Sequence, residues 1–501
     1  MASMANRVPA AFDRDYQMLI DGEWTGSSTG ETLRCVDPFD LHEWAQIPAA
    51  SAEDVDRAVA AARRAFDQDG WPQRTPQERA ALLRKLADRI EAHCDELARM
   101  QVHENGKLMS EMFGGARAMV PHARYVAGLA ENAMGHSVEA LPGFTSYTVK
   151  EALGVVAAIL PWNTPLGLLS WKLFPALAAG CTIVIKPSEV TSASTLRLAE
   201  LCQEVGFPRG VVNVVTGHGQ PTGAALANHP GVDKIAFTGS TGGGKAMMAA
   251  SVHRVGRTTL ELGGKSPNIV FADADLDDAI HGVMAGIFAA TGQSCMAGSR
   301  VLVEASIHDA FVERLCAAAA KLKLGDPLAA DTDMGPVACR NQYAKVQEYI
   351  AIGKAEGATL ANPELADALP DTGLFVPPTI FTGVAPRSRL AQEEIFGPVC
   401  SVIRFEDEDD AVRIANDISL GLAAAAWTQN VGRAHRMVKR LRAGTVWINA
   451  YRVAHYTMPF GGFKESGLGR ELGPDALDPY TETKSVWINN GAVRQSFGRK
   501  S

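Results

Sequence analysis

The chain has no two cysteines at CxxC spacing, no apolar run long enough for a bilayer, no block of basic residues and no low-complexity tract. Each absence removes a class of function. Eight cysteines, Cys35, Cys94, Cys181, Cys202, Cys295, Cys316, Cys339 and Cys400, lie scattered over 501 residues without histidines at zinc spacing. That pattern implies reduced thiols, a cytoplasmic setting and no structural metal. The longest apolar stretches, such as Leu173 to Ile185, are broken by Pro175 and Gly180. They fall short of the about 20 residues that a spanning helix needs, so no membrane partner is expected. The opening MASMANRVPAAFDRDYQ carries charges early and builds no apolar core of the signal-peptide kind, which speaks against secretion by that route. With a formal charge of −8 and its Lys and Arg dispersed, the chain has no footprint for nucleic acid.

What is present is a globular composition. With 47% hydrophobic and 21% charged residues the chain can bury a core, and its length calls for two or three domains. Apolar residues at helical spacing predict helices over 54–68 and 76–102. From Gly154 short apolar strands (154–160, 182–187, 211–216, 233–238, 257–262) alternate with helices (165–179, 192–205, 220–228, 241–252). Repeated βα units of this length imply a parallel, doubly wound α/β sheet. A second α/β run starts with the strand 267–271 and a helix reaching about Ala290. It continues with strands near 300–304, 399–405, 422–427 and 444–448, and helices near 307–322, 340–356, 409–417 and 431–441. The acidic run Glu406 to Asp410, standing before a helix, reads as a cap favoured by the helix dipole.

Several segments carry residue types suited to chemistry. In GQSCMAGSR (292–300), Cys295 is flanked by Gly292, Ser294, Ala297 and Gly298, so a substrate carbonyl can approach its sulfur, as a covalent catalyst requires. IAFTGSTGGGK (235–245) reads as strand, Gly-rich turn and helix, an arrangement that aims backbone N–H groups at phosphate. The strand TIVIKPSEV (182–190) presents Lys186 and Glu189, a donor and an acceptor for ribose hydroxyls. Glu261 in ELGGKSP and Asn163 in LPWNTP stand at strand ends, on the crevice edge where open α/β sheets bind ligands. Taken singly, each has a plainer explanation: a packing thiol, a helix turn, a solvated pair, a surface carboxylate, a turn former.

Together, PWNTP, KPSE, FTGSTGGG, ELGGKSP, GQSCMAGSR, EEIFGPV (393–399) and PFGGFKESGLGRE (459–471) give a chain that resembles the aldehyde dehydrogenase superfamily over nearly its whole length. The resemblance implies a Rossmann-like cofactor domain from 1–131 and 152–261, and a second α/β catalytic domain from 262–461. It also implies a small β-ribbon for oligomerisation from 132–151 and 480–499, and a return segment, 462–479, packing on the cofactor domain. It implies Cys295 as nucleophile, an oxyanion held by the Asn163 amide and the Cys295 N–H, and Glu261 as the base that activates water. Lys172 would add positive potential and Glu471 would extend the proton path.

For the cofactor, NAD with NADP also admitted, the resemblance implies Ile159, Leu160, Pro161, Trp162, Lys186, Ser188, Glu189, Phe237, Gly239, Ser240, Gly244, Leu262, Gly263, Glu394 and Phe396. Glu189 on the adenosine ribose would repel a 2′-phosphate. The aldehyde tunnel would be lined by Thr164, Leu168, Trp171, Ser294, Met296, Arg452, His455, Tyr456 and Phe460, with Met458 in the same loop. This apolar, aromatic lining suits a medium-sized hydrophobic or aromatic aldehyde. Thr164, where relatives often place an aromatic ring, weakens the case for a quaternary ammonium substrate. Arg452 or His455 pointing inward would favour a carboxylate-bearing semialdehyde instead. Glu261 argues against a CoA-acylating relative, and no histidine is placed to make a cysteine hydrolase. A homodimer or homotetramer is expected.

Overall fold

The computed structural model describes residues 7–367 and 369–491. Its centre is an eight-stranded sheet whose five inner strands run parallel in the order Val212–Val214, Thr182–Lys186, Val155–Ile159, Lys234–Thr238 and Arg257–Glu261. The first of these five in the sequence lies in the middle, and the later strands follow to one side of it and then to the other. Every residue of Val155–Ile159, Thr182–Lys186 and Lys234–Thr238 is buried, as expected of strands covered by helices on both faces. Pro165–Ala179, Ala193–Glu204 and Thr241–Ser251 are among the covering helices. Met18–Ile20 with Glu23–Thr25 closes one edge and Gly467–Leu468 the other, all antiparallel.

A second, seven-stranded sheet follows in the order Thr359–Leu360, Thr379–Thr382, Val399–Phe405, Arg300–Glu304, Pro267–Val270, Ala423–Trp427 and Thr445–Ile448. Only the Thr359–Leu360 edge is antiparallel. Phe144–Ala152 pairs with Thr481–Asn489 along its whole length and with Ser137–Val138, forming a separate three-stranded ribbon. Residues 492–499 of the expected ribbon fall outside the described residues.

Two expectations need correction. The single helix expected over 76–102 is two, Pro76–Ala92 and Cys94–Asn105, because His93 leaves helical geometry (φ −116, ψ 14) and its Nδ1 takes up Arg89 O at 2.8 Å. The helix expected to reach Ala290 stops at Ile287, and Ala290, Thr291 and Gly292 turn left-handed in succession. The Met109–Glu131 helix, packed on Pro76–Ala92 and Pro165–Ala179, has no clear signal in the sequence, since Gly114, Gly115 and Pro121 interrupt its pattern. The acidic run does cap a helix: Asp407 Oδ1 accepts Asp410 N at 2.9 Å.

Candidate active site

Where neighbouring strands of a doubly wound sheet send their chains to opposite sides, a crevice opens beyond their carboxyl ends. Here that point lies between Val155–Ile159 and Lys234–Thr238. A cavity of about 350 Å³ opens there, lined by Asn163, Glu261 and Cys295 together with Lys186, Glu189, Ser240, Glu394 and Phe396. Residues from three distant segments thus share one space.

Cys295 stands in the loop between the Leu276–Ile287 helix and the Arg300–Glu304 strand. The loop is fixed from several directions. Ala290 N donates to Glu111 Oε1 (2.7 Å), Thr291 Oγ1 donates to Gly335 O (2.9 Å), and Gln293 Oε1 accepts Ala338 N (2.9 Å). Asn163 Nδ2 donates to Gln293 O at 3.2 Å, which ties the turn after Val155–Ile159 to the cysteine loop. Gly292 has φ +68, and a Cβ there would lie 2.1 Å from Gly397 O, so no other residue fits. Burial pushes the Cys295 thiol up to about 12, Glu394 and Glu261 push the same way, and Lys107 and the Met296 N–H oppose them.

Glu261 ends its strand and is 4% exposed, with Oε2 unpartnered. Burial holds its carboxyl well above the usual range, and the nearby Glu471 adds to this against Lys172. Glu471 is equally buried and also leaves its Oε2 unpartnered. Its Oε1 accepts Lys172 Nζ at 2.7 Å, and the same ammonium donates to Thr238 Oγ1 at 2.7 Å. Lys172 and Glu471 therefore meet beside Glu261. The expectation that Lys172 lends positive potential to the cysteine is revised: its charge is neutralised by Glu471, and Lys107 is the cation acting on Cys295.

All of the expected cofactor residues line the cavity except Gly244. A Cβ at Gly244 would meet Leu262 Cδ2 at 2.5 Å, so its place is in the contact between helix and sheet. Ser240 caps the Thr241–Ser251 helix, accepting Gly243 N at 3.1 Å, and this brings the positive end of the helix dipole to the cavity rim. At the opposite end Glu189 lies 3.8 Å from Lys186 and 3.4 Å from His218 Nδ1. Burial alone would raise the Glu189 carboxyl, but Lys186 and then the hydrogen bonds outweigh it and leave it below the ordinary value. Glu394 Oε1 accepts Gly264 N at 2.9 Å, and Phe396 meets Trp162 edge-on at 5.3 Å. Gln342 and Lys345, from the Arg340–Ala355 helix, also line the cavity. No motif marked them, because they arrive on a helix whose pattern signals only packing.

On the far side of Cys295, Leu422, Phe460 and Leu472 form an apolar cluster against which Trp171, Met296 and Tyr456 pack. Trp171 and Phe460 meet edge-on at 5.2 Å, and Tyr456 lies against Tyr125 at 5.2 Å and His122 at 6.3 Å. Leu168 lines the cavity itself, and Ser294 is buried in the turn where its carbonyl accepts Ala297 N. His455 is exposed and bonded to Thr457 Oγ1, and Met458 is 65% exposed, so neither joins the apolar cluster. Arg452 is committed to the carbonyls of Ala289 (3.0 Å) and Ala285 (3.4 Å). Thr164 Oγ1 instead accepts a hydrogen bond from Lys107 Nζ, a residue that no motif singled out. Among the described residues no group of three or more His, Cys, Asp or Glu is placed to hold a metal ion.

With these residues in place, the aldehyde dehydrogenase family model matches residues 24–486, and the chain belongs to that family. Its similar proteins include an aldehyde dehydrogenase of Davidiella tassiana, 45% identical over 96% of this chain and 96% of that one. Among solved structures, the NAD+ complex of an aldehyde dehydrogenase from Bacillus cereus is 45% identical, with TM-score 0.93 over 96% of this chain and 98% of its own. A betaine aldehyde dehydrogenase from Staphylococcus aureus in complex with NAD+ is 40% identical, with TM-score 0.94 over 97% and 96%.

Proposed function

We propose that this enzyme oxidises a medium-sized hydrophobic or aromatic aldehyde to its carboxylic acid, with NAD as oxidant and Cys295 as covalent nucleophile. The observation that carries the reading is the single cavity shared by Cys295, Asn163 and Glu261 with the ribose-type acceptors Glu189 and Glu394.

The donor set fits a dinucleotide. The amino end of the Thr241–Ser251 helix suits a pyrophosphate, Glu189 and Lys186 suit one ribose, and Glu394 suits the other. A Glu189 carboxylate held ionised by Lys186 disfavours a 2′-phosphate, so NAD is preferred, with NADP a weaker alternative.

In the reaction, the Cys295 sulfur adds to the aldehyde carbon and the thiol proton leaves toward Glu261. Asn163 Nδ2 and the Cys295 N–H donate to the oxyanion; one such donor is worth about 2.7 to 4 kcal/mol. The chemistry the dinucleotide brings when bound is hydride acceptance, which leaves a thioester at Cys295. Once Glu261 has passed the thiol proton on, it takes a proton from water, whose oxygen attacks the thioester; the acid leaves and that second proton returns to the sulfur, restoring the thiol. Glu471, beside Glu261 and held by Lys172, carries the proton onward.

The aromatic contacts of Trp171, Phe460 and Tyr456 support the apolar substrate class. Betaine aldehyde fits less well here than its prominence among the relatives implies, because the Lys107 ammonium beside Thr164 repels a quaternary ammonium. A carboxylate-bearing semialdehyde is the second reading, favoured by the same ammonium. The ribbon supports a homodimer or homotetramer, since it presents Val138, Leu141, Trp487 and Ile488 to its surroundings. Eight free cysteines fit a reducing, cytoplasmic setting.

The test is NADH formation with aromatic, aliphatic, carboxylated and ammonium aldehydes. Aromatic or aliphatic aldehydes should exceed betaine aldehyde in kcat/KM by at least about tenfold, and Cys295→Ala should abolish the reaction. Turnover that needs coenzyme A, or that survives Cys295→Ala, defeats the mechanism.

A further inference from the structure

The corner after the Cys94–Asn105 helix grips the turn that carries Asn163 from both sides. Gly106 caps the helix in left-handed geometry (φ 72). On one side of it, Asn105 Nδ2 donates to Trp162 O at 3.2 Å; on the other, Lys107 Nζ donates to Thr164 Oγ1 at 3.3 Å. Asn105 Oδ1 accepts Lys107 N at 3.1 Å and locks the corner itself. The two residues flanking Asn163 are thus each held by a residue flanking Gly106.

Lys107 is 4% exposed. The carboxylate that acts on it, Glu111, has its Oε1 accepting from Ala290 N and its Oε2 from Leu108 N. Among the described residues none forms an ion pair with Lys107. A buried ammonium without a counter-ion is unfavourable in a resting protein, and such groups concentrate where an anion appears during function. The groups that bear on it electrostatically are Glu111, Arg452 and Cys295. From the side of Cys295, Glu394 and Glu261 both oppose a negative sulfur, and the forces favouring it are Lys107 and the Met296 N–H.

We propose that Lys107 is a positioning residue whose charge, held beside the Asn163 turn by Thr164, supports the Cys295 thiolate and the oxyanion that forms on its addition to the aldehyde. The inference rests on Cys295 being the nucleophile. It gives the buried cation its missing counter-charge: the sulfur before the reaction and the substrate oxygen during it.

The full-length enzyme is treated at neutral pH, without aldehyde, with iodoacetamide, which is neutral, and with iodoacetate, which is anionic; alkylation of Cys295 is followed by peptide mass. Lys107→Gln keeps an N–H donor, one atom nearer the backbone, but removes the charge. It should slow iodoacetamide alkylation of Cys295 by about tenfold and should lower the iodoacetate-to-iodoacetamide rate ratio, whereas Lys107→Arg should retain both. If Lys107→Gln does not fold, as judged by its thermal midpoint, Lys107→Met makes the same removal of charge and Thr164→Val removes the anchor; each should slow alkylation. Unchanged rates and an unchanged ratio in a folded, charge-removed variant overturn the proposal. So does a variant in which only KM for carboxylated aldehydes rises, since Lys107 would then serve substrate recognition alone. Failure of the nucleophile reading looks different: Cys295 would be fully alkylated in the parent with no loss of NADH formation.

Discussion

Glu261 can act as a base only when ionised, yet its surroundings hold its proton to unusually high pH. The sign follows directly. As pH falls through the raised value, the carboxylate is lost and thioester hydrolysis slows, so the acid limb of kcat should lie above the ordinary carboxylate range. Glu261→Gln should slow the first burst of NADH, because the thiol proton loses its acceptor, lose steady turnover by about a hundredfold or more, and lose that acid limb; a stopped-flow trace over a pH series checks all three. Stability follows the same linkage. The contribution of a raised carboxyl is present below its unfolded value and is lost as pH rises through the folded one. Glu261→Gln should therefore melt above the parent at neutral pH. Beside it, Lys172→Met would leave Glu471 buried without its counter-ion. That loss should destabilise the fold by about 3 to 5 kcal/mol, read by denaturant titration, with much of it recovered in the Lys172→Met, Glu471→Gln double variant.

At the scale of elements, much was legible in advance because local and long-range signals agreed. The Pro165–Ala179 helix begins at a proline, ends before Gly180 and is apolar enough to lie between sheet and neighbours, so its limits could be read directly. The strands of the first sheet could be read for the same reason: runs buried on both faces are continuous in apolar residues. Cys295, Asn163 and Glu261 could be found because strand ends and motifs coincide. Lys107 could not, since its meaning depends on burial and on the missing partner, neither of which has a local pattern. Gln342 and Lys345 arrive likewise through tertiary packing alone. The sequence pattern carries the helix to about Ala290, past its end at Ile287, because Ala290 and Thr291 are not residues that announce a left-handed turn. That turn is expected to be intolerant: Gly292→Ala, whose Cβ would press on Gly397 O at 2.1 Å, should destabilise by about 1 to 3 kcal/mol and abolish the NADH burst. Thermal unfolding with burst kinetics tests it; a normal burst in a stable variant would contradict the strained geometry.

At the scale of the whole molecule, the ribbon formed by Phe144–Ala152 and Thr481–Asn489 joins segments far apart in the chain and leaves Trp487 half-exposed beside Ile488. Exposed apolar side chains gathered on an edge invite association. The double substitution Trp487→Asp with Ile488→Asp should shift the protein toward monomer in sedimentation velocity, while the alkylation behaviour of Cys295 is retained. A parent that already sediments as a monomer would remove this role from the ribbon. The Gly467–Leu468 strand brings a late part of the chain back to the first sheet: it lies antiparallel to Arg257–Glu261 and sits only a few residues before Glu471. During biosynthesis the first sheet is therefore left with one bare flank until nearly all of the polypeptide has left the ribosome, and the strand bearing Glu261 is the one that waits. Nascent chains halted before Gly467 would carry an open, sticky border that finished molecules lack, making translation arrest late in the message a more hazardous event for this fold than arrest between its two sheets.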